Sequence, residues 1–578
     1  IIGSISAKYD ITDFLYVKGQ GGVDRLNMHL NDQAFSLWPI GVAFSPGGIM
    51  SEQDISIRQS DLDLFLGTDN LRLSNNLVLN AFIGSGRFSY SREQSTLRGD
   101  NIVIPGVYDV RNTSSQLIDY YFAEKAINSV YGSAELAFKD AIFVSLTARN
   151  DWFSTLSLAG KESPNNDLYT SASVSAVLSD LVTMPSIINF AKLRGGYSQI
   201  AGGADNPYGL SLNYGLTGSH TGNDGVSLPT GQISGGTIPN REIKPFQKNE
   251  SEIGFDLRMF QSKMTVDFSY YDNSTIGDIV AVSASATSGY TSSLANLGEI
   301  SNKGIELLIR GTVYEKGDFS ADLTLNYAKN NSEIISTNDA GDNIFIDQTR
   351  NMAAGVTQVV GEQFGTIYGS YFQRDANGNK IYALNGDGVP LAVRSTDQKI
   401  LGNGVAPTQL GIGTDLRYKA FQLSVFFEAK FGAQIYSNTN AFLKQVGMSK
   451  ETIPEGGREA GFLPDGVMDD GSEMVRVTKE NLDVFWANQW DIGEESVYDA
   501  DFIRFSQLSL SYSIPRSITN KLNLGSASVS VVGKNLALWS DVPNVDPESA
   551  YQARNGQGLE YAGLPVPRTV GFNVSLKF

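Results

Sequence analysis

The sequence predicts an all-β protein, and within that class a transmembrane antiparallel β-barrel with short turns at one end and long loops at the other. Apolar and polar residues alternate with a period of two in segments along the whole chain. The connections between these segments alternate between short and long. Aromatic residues make up 10% of the chain while charged residues make up only 18%, against roughly 25% charged in a typical soluble domain.

The alternation is clearest in the last ten residues, TVGFNVSLKF. Every second residue from Val570 to Phe578 is apolar, and the residues between them are polar or glycine. The stretch FQLSVFFEAKF (421–431) repeats this spacing, with Gln422, Ser424, Glu428 and Lys430 on its polar side. Such a pattern would spread around a helix, whereas in a strand it separates two environments.

Alternating segments of this kind occur about seventeen times along the chain. In order, we expect strands near 1–9, 14–25, 55–66, 75–88, 128–138, 141–152, 168–178, 190–199, 247–259, 264–274, 301–312, 318–331, 409–418, 420–432, 501–514, 525–538 and 567–578.

The connections between the predicted strands differ in length in a regular way. Short ones such as 9–13, 138–141, 260–263 and 418–420 are followed by long ones, namely 26–54, 89–127, 200–246, 275–300, 332–408, 433–500 and 539–566. Outer-membrane barrels have short periplasmic turns and long extracellular loops. A secreted soluble carbohydrate-binding β-protein is the alternative, although a sandwich has no reason to sort its loops in this way.

Strand parity predicts that residues 1–578 are the C-terminal portion of a larger barrel. If the first and last strands both run toward the short-turn end, their number is odd, whereas single-chain bacterial barrels have an even number. Adding five strands to about seventeen reaches the 22-stranded plugged transporter class. We therefore expect the plug and the first strands to lie outside this sequence, which is a fragment or a processed product.

Composition excludes several classes of function. The formal net charge of -18 disfavours a nucleic-acid partner, because phosphate binding requires clustered Lys and Arg. The chain has no cysteine, so it has neither a disulfide nor a thiolate nucleophile. It also lacks a run of about 18 apolar residues, so no transmembrane helix is predicted.

Several stretches resemble the SusC-like family of TonB-dependent outer-membrane transporters. The matching stretches include PNREIKPFQKNESEIGFDLR (239–258), NLGEISNKGIELLIRG (296–311), QFGTIYGSYFQRDANGN (363–379), LGNGVAPTQLGIGTDLRYKAFQLSVFFEAKFGAQIY (401–436), DFIRFSQLSLSYSIP (501–515) and VVGKNLALWSDVPNVDPES (531–549). Together they span a region of about three hundred residues, in the order of the family's barrel strands. The sequence departs from the family pattern at Phe246, Val405, Ala406 and Lys534.

The resemblance implies a position in the outer membrane, among its lipids, and active import of a nutrient such as an oligosaccharide or peptide. It also implies a SusD-like surface lipoprotein that covers the barrel, and TonB, which would act through the missing N-terminal region. The final Phe578 would lie in the periplasmic aromatic girdle. The alternative is a passive porin, or a structural or secretion-complex barrel without energised gating.

Two sets of residues are candidates for binding. Exposed aromatic rings stack on sugars and anchor partner proteins, although packing within the loops is the more common role of such rings. By alternation, a set of charged residues in the strands faces the lumen. The loop candidates are Tyr208, Tyr214, Trp486, Trp490 and Tyr498, and the lumen candidates are Glu306, Arg310, Asp322, Glu428 and Lys430.

The sequence shows little sign of catalysis or of a cofactor. Its two histidines, His29 and His220, are far apart, and no G-x-S-x-G motif is present. We therefore expect a protein that is not an enzyme. Loop carboxylates could hold calcium, but the EF-hand spacing is missing, so a solvated turn is favoured over a metal site. The weak metal candidates are Asp465, Asp469, Asp470 and Glu473.

Overall fold

The computed structural model shows a protein built almost entirely of strands. It describes residues 1–34, 47–158, 160, 162–211, 213–223, 225–234, 236–283, 287, 290, 292–338, 341–551 and 556–578. No helix among these residues is long and apolar enough to cross a membrane.

Eighteen strands belong to one hydrogen-bonded sheet. One of them, Thr237–Ile238, has two residues, which leaves the seventeen strands that the alternation predicts. In chain order they are β1 (Ile2–Asp10), β2 (Leu15–Ala34), β3 (Ile49–Ser74), β4 (Leu77–Ile102), β5 (Thr113–Phe138), β6 (Ile142–Phe153), β7 (Asn166–Val177), β8 (Ile188–Gly202), β9 (Phe246–Met259), β10 (Met264–Ser283), β11 (Ser292–Lys316), β12 (Phe319–Ser336), β13 (Thr408–Tyr418), β14 (Phe421–Phe431), β15 (Phe502–Ser513), β16 (Ser526–Ser540) and β17 (Thr569–Lys577).

The longest connections, 203–245, 337–407, 432–501 and 541–568, each follow an even-numbered strand, as predicted. The alternation is not strict, because 178–187 and 514–525 follow odd-numbered strands and are longer than 284–291, which follows β10. Three predicted long connections, 26–54, 89–127 and 275–300, are wrong in extent because β2 to β5, β10 and β11 run far into them. The extensions of β3 and β4 carry polar residues on both faces, and the extension of β5 carries apolar residues on both, such as Leu117 and Ile118, so these sequences do not alternate. The extension of β2 does alternate at Leu26, Met28 and Leu30, and the predicted strand ends too early there. A strand that leaves the membrane keeps its hydrogen bonds but loses the apolar face that reveals it.

Two compact units can be distinguished. The first contains residues 1–176, 195–250 and 275–297, and the second contains residues 177–194, 251–274 and 298–578. In the first unit, each strand from β1 to β7 is antiparallel to the next. In the second, β11 to β17 are paired in the same consecutive manner.

Aromatic residues mark the short-turn end of the second unit. Phe319, Tyr418, Phe421 and Tyr512 are directly opposite one another on β12 to β15, next to the turns. The rings of Phe421 and Tyr512 are 4.9 Å apart between centroids. A ring of exposed aromatic side chains at this level is typical of the membrane interface.

The long connections of the second unit fold into small cores of their own. One core contains Ile367, Tyr436 and Leu559, each with 0% exposure, and a second contains Phe372, Tyr382 and Phe485. The eight-residue helices are α1 (Asn438–Gln445) and α2 (Leu482–Gln489).

The remaining elements are short. Single helical turns occupy Val110–Asn112, Ser154–Leu156, Leu178–Leu181, Lys450–Thr452, Arg458–Ala460, Lys479–Asn481, Gly493–Ser496, Arg516–Thr519 and Asn520–Leu522. Strands outside the main sheet are Asn213–Thr221, Ser227–Ser234, Ile344–Gln348, Ala354–Gln358, Thr366–Gly369, Ile381–Leu384, Pro390–Ala392, Lys399–Asn403, Gln434–Ser437, Val467–Met468, Val497–Asp499 and Leu559–Glu560.

Candidate functional site

The strand register places the predicted lumen residues on one face of the second unit. Glu306 is opposite Ala328, which is opposite Gln409, which in turn is opposite Lys430. Arg310, Asp322 and Glu428 lie an even number of residues from members of this row, and the ladders keep them on the same face. Successive side chains of a strand point to opposite faces.

The opposite face of the same strands is apolar. One row across β11 to β15 contains Ile309, Leu325, Ile412, Phe427 and Phe505, and the rings of Phe427 and Phe505 stack at 4.7 Å. Exposed leucine and isoleucine side chains continue on this face beside the stack. This chemical difference between the two faces is what a wall between lipid and water requires.

A cavity of about 550 Å³ opens on the charged face. Its lining includes Glu306, Glu428 and Lys430 among the predicted lumen residues, together with Arg194 and Asp267. Charges of both signs therefore line one chamber, whereas Arg310 and Asp322 are not part of its lining. Asp322 accepts instead from Arg417 at 3.0 Å, nearer the short turns.

Arg194 on β8 binds three carboxylates at once. Its guanidinium is 3.0 Å from Asp256, 2.9 Å from Asp267 and 3.4 Å from Glu252. A Cβ atom at Gly254 would lie only 2.8 Å from the guanidinium carbon, so the absence of a side chain makes room for the arginine. Three carboxylates therefore surround one guanidinium, and of these Asp267 lines the cavity. Our sequence analysis missed this cluster, although alternation along 190–199 puts Arg194 on the polar face.

A second charged cluster fixes the loop after β16 to the chamber. Arg504 is 5% exposed, and its guanidinium binds Asp546 at 2.9 Å, Glu428 at 3.1 Å and Glu548. Lys430 binds Glu548 at 2.6 Å. Burial raises the pKa of Glu548, but Lys430 and Arg504 outweigh it and hold that pKa below its ordinary value. The loop and the wall thus share one ion network.

Three of the predicted loop aromatics are half-buried within the loop cores of the second unit. The Trp486 ring lies against Phe485 at 5.3 Å, and Trp490 packs edge-on against Phe442 at 6.0 Å. The Lys444 ammonium lies 5.5 Å from the centre of the Tyr498 ring, and burial raises the Tyr498 pKa. Packing among neighbours accounts for Trp486 and Tyr498, so their role in binding stays a prediction.

The other two aromatics belong to the first unit. Tyr208 is 51% exposed, and its hydroxyl accepts from the Glu124 backbone N–H at 3.3 Å. The backbone of Tyr214 lies in the strand Asn213–Thr221, whereas its side chain lies outside the described residues.

The candidate calcium ligands lie in an exposed turn. Asp470 accepts a hydrogen bond from the Ser472 backbone N–H at 2.9 Å, and hydrogen bonding by the Ser472 side chain and backbone lowers the Asp470 pKa. Asp465, Asp469 and Glu473 lie nearby in the chain, around the strand Val467–Met468. In the part of the chain that the structure describes, no three His, Asp or Glu residues are grouped as metal ligands.

Comparison with known proteins identifies the family. A family model described as "TonB dependent receptor-like, beta-barrel" matches residues 5–441. The chain belongs to this TonB-dependent receptor family. Two relatives from Formosa agariphila, TonB-dependent receptor P3 and TonB-dependent receptor P26, are each 25% identical and align with 89% and 78% of this chain. These alignments cover 53% and 46% of the relatives, so the chain spans about half their length.

Solved structures show the same fold. The RagAB peptide transporter matches 100% of the chain with a TM-score of 0.78 at 17% identity, covering 61% of that chain. The RagAB peptide importer in its open-open state matches with a TM-score of 0.75 at 16% identity, covering 62% of that chain. The resemblance to TonB-dependent transporters and the predicted location in the outer membrane are therefore confirmed. The family is one of transporters rather than enzymes.

Proposed function

We propose that this chain forms part of the wall of an energised importer for peptides in the outer membrane. The observation that carries the proposal is the cavity of about 550 Å³ on the polar face, which is lined by charges of both signs. A passive pore needs only a wide aqueous channel, whereas an importer needs a chamber that holds its substrate before release.

The mixed charge of the chamber favours peptides over neutral oligosaccharides. A peptide carries an ammonium and a carboxylate, which pair with groups such as Glu306 and Lys430 through charge-assisted hydrogen bonds. Neutral sugars are held mainly by stacking on aromatic rings, and the lining has two of these, Tyr327 and Phe426, against five charged side chains. The structural neighbour RagAB, described as a peptide transporter, supports the same substrate class.

The partners follow from the family rather than from the chamber. A plug in the lumen, pulled by TonB, would open the path, and a SusD-like lipoprotein would cover the long loops. The curated relatives are about twice as long as the matched region, which leaves room for a plug.

Uptake of a labelled peptide by cells that carry the full-length protein tests the proposal. We expect uptake to stop when TonB is deleted or the proton gradient is dissipated, and to fall several-fold in the Glu306→Gln/Lys430→Gln variant. Glu315→Gln is the matched control, because Glu315 is an exposed partner of Lys263 near a short turn of the same wall. Uptake that continues without TonB would make the protein a passive pore.

A further inference from the structure

The first unit has a lipid-side face of its own. In β3 to β7, one face contains the exposed apolar side chains Leu64, Ile83, Val130, Leu146 and Leu168. The other face carries a polar network in which Tyr131 donates to Asp63 at 2.6 Å. The apolar face is the one that lipid covers in an outer-membrane barrel.

This apolar face forms the part of the wall that lies in the hydrocarbon core, here called the apolar belt, and on β3 the belt ends at Leu62. From Ser74, beside the short turn, to Leu62 is about 40 Å along the strand at roughly 3.3 Å per residue. A strand tilt of about 40° reduces this length to about 30 Å across the membrane, close to the thickness of the hydrocarbon core. Residues of this face beyond Leu62 therefore lie at the level of the outer-leaflet headgroups.

Three arginines follow the end of the belt on the same face. Arg87 is directly opposite Leu62 on β4, Arg58 lies four residues beyond Leu62, and Arg25 is directly opposite Arg58 on β2. All three side chains are exposed. Like charges directly opposite in a sheet repel each other, so Arg25 and Arg58 would be stabilised by an anion between them.

The arginines have few internal partners. Arg87 donates to the Asn128 amide oxygen at 3.0 Å, and Arg25 donates to Asn27 at 3.3 Å. None of the three arginines forms a salt bridge with a carboxylate of the described residues. By contrast, Arg98 and Arg111 of the same unit pair with Asp100 and Asp109.

A cavity of about 570 Å³ brings two of these arginines, Arg58 and Arg87, together with hydroxyl groups. The rest of the lining includes the hydroxyl-bearing residues Ser60, Ser89, Ser91 and Tyr208. The lining also includes one carboxylate, Glu124, and one lysine, Lys125. The Lys125 ammonium forms an ion pair with Asp205 at 3.7 Å. Guanidinium groups bind phosphate in bidentate fashion, and hydroxyls bind sugars.

We propose that Arg25, Arg58 and Arg87 bind the phosphorylated sugar headgroup of an outer-leaflet glycolipid. Free phosphate offers the same charge but has no acyl chains to lie on the apolar belt below Arg87. The combination of cations, hydroxyls and an adjoining apolar face fits the whole lipid better. The bound lipid would seal the wall against its membrane and is separate from the transported substrate.

Binding of monophosphoryl lipid A to the full-length protein in detergent, followed by microscale thermophoresis, tests the proposal. We expect Arg58→Gln/Arg87→Gln to weaken binding at least about ten-fold, since each charged contact contributes substantially to affinity. The control Arg98→Gln/Arg111→Gln removes the same charge from paired arginines and should leave binding unchanged.

The proposal would be overturned if both double variants weakened binding equally, or if Arg58→Gln/Arg87→Gln left binding unchanged. It would also be overturned if millimolar inorganic phosphate displaced the lipid, because the site would then bind a free anion.

Heat-modifiable migration on a gel checks that each barrel is folded. If the double variant failed to fold, Arg58→Gln alone would give the same test, because its side chain is exposed.

Discussion

At the scale of single residues, alternation in the sequence predicts which face of the sheet a side chain lies on, but it does not predict which side chains form ion pairs. It predicts that Glu428 and Lys430 share a face, and the ladders place them so. It does not predict that both belong to a network with Arg504 and Glu548. Those contacts join residues far apart in the chain, and only the folding of the loop after β16 brings them together.

Within this network, substitution of Arg504 should lower the free energy of unfolding more than substitution of any other residue. Arg504→Met leaves Asp546, itself 7% exposed, without its partner, and an unpaired buried charge costs about 3–5 kcal/mol. Urea unfolding in detergent micelles measures this loss. Arg417→Met is the control, because its exposed pair with Asp322 should contribute about 1 kcal/mol or less. Equal losses in the two variants would contradict the assigned network.

Glu494 makes the loop cores sensitive to acid. It accepts from the Phe372 backbone N–H at 2.9 Å, from Lys399 at 3.0 Å and from Arg374 at 3.1 Å. Burial raises the Glu494 pKa, but these contacts outweigh burial and lower it. A lowered pKa means that the stabilisation is complete above the ordinary carboxyl pKa and is lost as pH falls through the native value.

We expect the wild type to lose stability as the pH falls below about 4.5, the ordinary pKa of the carboxyl, and Glu494→Gln to lose less over the same range. Urea unfolding at stepped pH measures the difference. Glu459→Gln, at a side chain with 82% exposure, should follow the wild type. Identical pH profiles for wild type and Glu494→Gln would count against the role of Glu494.

At the scale of elements, the membrane decides which strands can be recognised from the sequence. The count of seventeen long strands and their order are confirmed. The strand β14 lies within one residue of its prediction at each end, because it is amphipathic throughout. The strand β5 starts at Thr113 rather than near 128, because its extension carries apolar residues on both faces, such as Leu117 and Ile118, and therefore does not alternate. The packing of 337–407 and 432–501 into cores could not be read from alternation at all.

The register of β14 can be tested with adjacent substitutions. Val425 is opposite Thr414 and Leu508 on the apolar face, and Ser424 is opposite Asp415 on the polar face. Val425→Arg should cost about 2–4 kcal/mol in the middle of the belt, whereas Ser424→Arg gains a nearby carboxylate. The yield of heat-modifiable barrel in the outer membrane measures assembly. If the two variants assembled equally well, the register would be wrong.

At the scale of the whole molecule, the sequence supports the family and the membrane but leaves the substrate open. The resemblance found in the barrel strands agrees with the family model that covers residues 5–441. Recognition depends on side chains that the fold brings together, such as Arg194 and Glu306 in one cavity. No spacing in the sequence reports that contact, because β8 and β11 are joined only through the intervening strands.

The central claim is that lipid covers one face of this wall and water fills the other, and single spin labels test it most directly. The chain has no cysteine, so a label can be placed at each position from 305 to 310 in turn. We predict that collisions with oxygen peak at Ile305, Leu307 and Ile309, and that collisions with a water-soluble nickel complex peak at Glu306, Leu308 and Arg310. Equal access of both reagents at neighbouring positions would contradict the account.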